Sequence, residues 1–133
     1  MKIVSLNTLP DGSTGNIMVN IAKCAKKSID ADVTCFYGNW KNKDKQNAML
    51  RCFGNVFENA LSHFIHLVTG YHNIGSWFGT LGLLKKIDKI KPDIIHIHNL
   101  HLWVVNVPML FSYIKKHGIK VVWTFHDCWA LTG

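Results

Sequence analysis

Histidine closes two apolar runs, in His96-Ile97-His98-Asn99-Leu100-His101 and in Thr124-Phe125-His126-Asp127. Imidazole exchanges protons near neutral pH, ligates metals and hydrogen-bonds hydroxyl groups. On an extended strand His96 and His98 share one face, which suits metal ligation, with His101, His126 and Asp127 as further donors. The alternative is an acid or base at His126-Asp127. Adjacent side chains on a strand point to opposite faces, so a direct His126–Asp127 dyad does not follow from the spacing. His98 and Asn99 lie nearest the strand tip and are the better site candidates. His96 reads as a core histidine bonded to backbone. His63, His66 and His72 read as exposed.

A second constellation is Gly12-Ser13-Thr14-Gly15, just after the first apolar run. Backbone N–H groups there, with a helix N-terminus behind them, suit a phosphate, and glycine permits close ligand approach. No Gly-Lys-Ser/Thr follows and GxGxxG is absent, so a plain turn with a helix cap is the competing reading.

These residues need a scaffold. Residues 2–7 read as a strand and residues 8–16 as a loop. A helix to Ile29 follows, with Ile17, Met18, Ile21, Ala22, Ala25 and Ile29 on one face. Val33–Tyr37 is a strand, and residues 38–48 form a lysine-rich loop. Phe53, Val56, Phe57, Ala60, Leu61, Phe64, Ile65 and Val68 then repeat at helical spacing, opposite Asn55, Glu58, Asn59, Ser62, His63 and His66. Another helix carries Leu83, Leu84, Ile87 and Ile90 and stops before Pro92. Two buried strands, 93–98 and 120–125, flank a helix with Val107, Leu110, Phe111 and Ile114 that ends at Gly118. Strands alternating with helices predict an α/β domain with a parallel sheet of four visible strands. Ligand sites in such sheets gather beyond the carboxyl ends of the strands, where both histidine segments fall.

The chain has 133 residues, expected to form one domain, and a net charge of +7. No apolar run approaches a membrane span and no secretory leader is evident, so the cytoplasm is expected. A basic surface favours anionic partners, but aromatics and lysines form no nucleic-acid motif. Cys24, Cys35, Cys52 and Cys128 lack CxxC spacing and read as reduced, mostly buried thiols.

The segments Asp93–Asn99 and Val121–Gly133, with Gly12–Gly15 and Ile74-Gly75-Ser76, resemble bacterial group 1 (family 4) glycosyltransferases. The resemblance is strongest to enzymes of capsular, exopolysaccharide and O-antigen assembly. It implies a GT-B fold, with two Rossmann-like domains across a cleft. It also implies transfer of a sugar from a nucleotide diphosphate sugar to an acceptor hydroxyl, with retention and no bound metal or other cofactor. His126 maps onto the histidine that faces the reaction centre. Gly12, Ser13, Thr14 and Gly15 approach the donor phosphates, and His98, Asn99, His101 and Asp127 line the substrate side. Residues 1–133 correspond to the Rossmann-like acceptor domain, expected to be incomplete. The family's paired glutamates and nucleotide pocket lie in a second domain that these residues do not include, so the fragment alone is expected to be inactive.

Trp129 reads as a packing residue, with stacking on a sugar ring as the alternative. Lys41, Lys43, Lys45 and Arg51 precede Phe53, Phe57 and Phe64. Such a basic, aromatic face suits anionic lipid carrying lipid-linked acceptors, but the expectation is that the apolar helix face packs on the sheet. Two other functions compete: a metal-dependent hydrolase using His96, His98, His101 and His126, and a non-catalytic sugar- or phosphate-binding remnant.

Overall fold

A computed structural model describes residues 1–38 and 48–128. The expectations for Lys41, Lys43, Lys45 and Trp129 fall outside these residues. The elements in chain order are β1 (Lys2–Asn7), α1 (Gly12–Ile29), β2 (Asp32–Gly38), β3 (Leu50–Phe53), α2 (Val56–Thr69), α3 (Trp77–Ile90), β4 (Ile94–Ile97), α4 (Val107–His117) and β5 (Lys120–Trp123). The sheet order is β3-β2-β1-β4-β5, and every pairing is parallel. The α/β expectation holds, with five strands among the described residues where four were visible in the sequence. The strand β3 is a four-residue edge segment. It removes Phe53 from the helix to which its spacing assigned it and places it in the core, 5% exposed.

Alternation along the strands feeds two cores. Val4, Leu6, Phe36, Ile95 and Ile97 pack against Leu83 and Ile87 of α3 and Leu110 and Ile114 of α4. On the opposite face Val33 and Cys35 pack against Met18, Val19 and Ala22 of α1. The buried stripe of α1 is thus Gly15, Met18, Val19 and Ala22, while Ile17, Ile21 and Ile29 face solvent. The buried face is therefore rotated from the expected one, and Gly12–Gly15 form the first turn of the helix rather than a preceding loop.

The larger correction concerns α2. Its apolar stripe does not pack on the sheet. Phe57 is 81% exposed and Val68 69%, whereas Glu58, Asn59 and Ser62 are buried. No residue of α2 belongs to either core. The helix is held through its polar side. Glu58 accepts the backbone N–H groups of Phe78 and Gly79, at 2.6 and 2.7 Å, and so caps the first turn of α3. Ser76 at the N-cap of α3 provides no side-chain cap there, so the Glu58 carboxylate meets both the free N–H groups and the positive end of the helix dipole.

Of the two strands expected to be buried, β4 is packed but β5 is not. Val121 and Val122 are exposed on β5, which forms one edge of the sheet. The thiols also differ from expectation: Cys24 and Cys128 are exposed, and only Cys35 is buried. Burial pushes the Cys35 thiol up to about 11, against a smaller lowering by its hydrogen bond with Ser5.

Candidate active site

After β1 the chain builds β2 and β3 to one side, then crosses to build β4 and β5 on the other. The strand order therefore reverses between β1 and β4, which opens a crevice beyond their carboxyl ends. Polar residues leave all three neighbouring strands there: Asn7-Thr8 after β1, His98-Asn99 after β4 and His126-Asp127 after β5.

Two of these exits are tied together through Asn7 and Thr8, which the motif reading passed over. The Asn7 side chain is buried. It donates to Leu9 O at 2.9 Å and to Thr14 Oγ1 at 3.2 Å, and it accepts the Asn99 N–H at 3.1 Å. Thr8 Oγ1 is shared between Asn99 O at 3.0 Å and His101 O at 2.8 Å. The start of α1 and the loop after β4 are thus fixed to one another. The signal was present in the sequence, since each of these strands ends in a pair of polar residues.

The glycines play different parts here. Gly12 has φ +73° and open space around the position of a side chain, so its requirement is backbone conformation. At Gly15 a Cβ would lie 2.6 Å from the Pro10 carbonyl carbon. That glycine lets the loop close on α1, where the sequence reading had it admit a ligand. Gly12 and Ser13 are exposed and Thr14 is half-buried.

The histidines sort into pairs. His98, 1% exposed, places Nδ1 2.9 Å from His126 Nε2. Burial, then the neighbouring His96 and His126, lowers the His98 pKa from 6.5 to about 4, so the ring is neutral at pH 7. The Asp127 carboxylate approaches His101 Nε2 at 3.5 Å. His96 is half-buried and bonds the Thr124 side chain at 2.9 Å, not backbone as expected. Its pKa is lowered by burial and then by His126. The Trp123 indole N–H donates to His98 O at 3.0 Å and holds the two strand exits in register. Among the described residues no three metal-ligating side chains converge to hold an ion, which gives the hydrolase reading no geometric support.

His63 and His66 are half-buried, contrary to expectation. The His63 ring stacks on Trp103 with centroids 4.0 Å apart, and His66 lies against His72 at 3.8 Å. These rings sit between α2 and the loop after β4. That loop is braced by Asn73, which donates to Leu100 O at 2.7 Å and accepts the Trp103 N–H at 3.1 Å. His63 of α2 therefore supports the loop after β4 through Trp103.

Comparison with known proteins agrees with this architecture. No curated protein sequence matches the chain. The family model described as Glycosyltransferase Family 4 matches residues 16–132, which spans β4, β5 and the His98–His126 pair and begins just after Gly15. A match over most of the chain, on a parallel sheet with polar strand exits at its switch point, makes this chain a member of glycosyltransferase family 4.

Proposed function

We propose that this chain is the acceptor-side part of a retaining glycosyltransferase that uses a nucleotide diphosphate sugar and extends a cell-surface saccharide. The observation that carries the reading is the His98–His126 pair at the switch point of a family 4 domain. His126 contacts the reacting sugar, Asn99 and His101 shape the acceptor side, and the start of α1 meets the donor phosphates. The donor's nucleotide is held by a second domain.

The acceptor is lipid-linked, and the domain rests on an anionic bilayer. Three features support this. The stripe of α2 formed by Phe57, Leu61, Phe64 and Val68 faces solvent, and the one acid of that helix, Glu58, turns inward. Helical spacing places exposed Phe78 and Leu81 of α3 in line with Lys85 and Lys89. Arg51, Lys86 and Lys89 line a cavity of about 350 Å³ beside them. An apolar face bordered by cations fits an anionic lipid surface. No described helix is long and apolar enough to cross a membrane.

The test is transfer of labelled sugar from a panel of nucleotide diphosphate sugars to lipid-linked acceptors, with a family 4 donor domain supplied in trans. Transfer that falls roughly 100-fold in His126→Ala supports the reading. Chain that stays folded, yet neither supports transfer nor shows NMR shifts at residues 98–101 and 126–127 with either substrate, overturns it.

A further inference from the structure

We propose that His98 is a positioning residue that holds His126 in the tautomer with its proton on Nδ1, so that His126 meets its ligand as a hydrogen-bond donor. The inference rests on the reading of His126 as the residue that faces the substrate.

A single proton lies between His98 Nδ1 and His126 Nε2, 2.9 Å apart. Two assignments are available for neutral rings. In one, His98 Nδ1–H donates to a bare His126 Nε2. In the other, His126 Nε2–H donates to a bare His98 Nδ1, and His98 must then carry its own proton on Nε2. The surroundings of His98 Nε2 separate the two. That atom is buried and has no hydrogen-bond partner among the described residues. The second assignment therefore buries an N–H group with nothing to accept it. The first leaves only an unused lone pair, which buried sites tolerate more often than an orphaned N–H.

His98 cannot escape the choice by taking up a second proton, because burial and its histidine neighbours keep it neutral at pH 7. Nor can it turn away easily. Its ring lies against that of His96, with centroids 4.2 Å apart, and its carbonyl is held by the Trp123 indole. With His98 donating, neutral His126 has Nε2 bare and occupied, and its proton resides on Nδ1. The half-buried His126 ring then offers an approaching oxygen an N–H group, and in that form it is not a general base. His98 needs no contact with substrate to do this.

Nitrogen-resolved NMR of the labelled chain at pH 7 reads the tautomer directly from ring proton–nitrogen couplings. The expected spectrum shows His126 protonated at Nδ1 and bare at Nε2, with His98 also protonated at Nδ1. A His126 signal protonated at Nε2 overturns the proposal. His98→Asn keeps an N–H donor of similar reach and should preserve the His126 signature. His98→Leu removes the donor, so His126 should return to the Nε2-protonated form that imidazole prefers in water. An unchanged His126 signature in folded His98→Leu also overturns the proposal, and if that variant does not fold, the wild-type spectrum decides alone. The readout does not depend on sugar transfer, so failure of the tautomer and failure of the functional reading are distinguished by separate measurements.

Discussion

His98 links the site to the acid stability of the domain. Its pKa is lowered from 6.5 to about 4 by burial and then by His96 and His126. Between those values the unfolded chain binds a proton that the folded chain refuses, so stability is complete above about pH 6.5 and is lost as the pH falls. Integrated over that window the loss is about 3 kcal/mol. His98→Asn removes this contribution. Its melting temperature, followed by circular dichroism, should fall less than that of wild type between pH 7 and pH 4. His96 is shifted in the same direction and leaves a residual slope in both proteins. Asn7 belongs to the same scale. Asn7→Leu strips three hydrogen bonds from a buried side chain and leaves their partners to find others. A loss of about 2–3 kcal/mol is expected in urea denaturation.

At the scale of elements, α2 depends on Glu58. Glu58→Ala uncaps α3 and leaves two inward-facing N–H groups without their carboxylate. Charge-assisted bonds of this kind are worth about 1.5–3 kcal/mol each against an unsatisfied donor, so a drop of roughly 2–4 kcal/mol in unfolding free energy is expected, with Glu58→Gln losing less. Gly75 tests the other contact of α2. A Cβ there would lie 2.6 Å from the Ser62 Cβ, so Gly75→Ala must push α2 outward. Overpacking of this kind costs about 1–3 kcal/mol, and the fluorescence of Trp103, which stacks on His63, should report the displacement. The helical spacing of α2 was legible in the sequence, but its orientation was not. Hydrophobic periodicity locates a stripe without saying what covers it. The fact that decides the matter, a glutamate satisfied by N–H groups 20 and 21 residues away, has no local signature. β3 escaped for the opposite reason: four residues at a sheet edge are too few to show alternation.

For the molecule as a whole, the succession of apolar strands and helices was enough to read the parallel sheet and to place both histidine segments at its carboxyl end. The pairing of particular histidines was not legible. Adjacency in the sequence left the partner of His126 open, whereas the fold brings His126 to His98 and Asp127 to His101. The exposed apolar face gives a test at this scale. Co-sedimentation with vesicles containing phosphatidylglycerol should retain the wild-type chain and release it as salt is raised. Phe57→Ser with Phe64→Ser should weaken retention about tenfold or more. Loss of self-association with unchanged vesicle binding would show that the face covers another copy of the chain instead.

The position of β1 also has a consequence for biosynthesis. This central strand pairs with β2, about 30 residues onward, and with β4, about 90 residues onward. At ribosomal speeds of about 5–20 residues per second, the β1-α1-β2 unit, complete about 60 residues before β4, waits roughly 3–12 seconds for its second neighbour. Throughout that delay one edge of β1 stays open, and Asn7 and Thr8 have no loop to hold. The crevice is therefore among the last features to form, and a nascent chain carries its most vulnerable seam at the place where its chemistry will be.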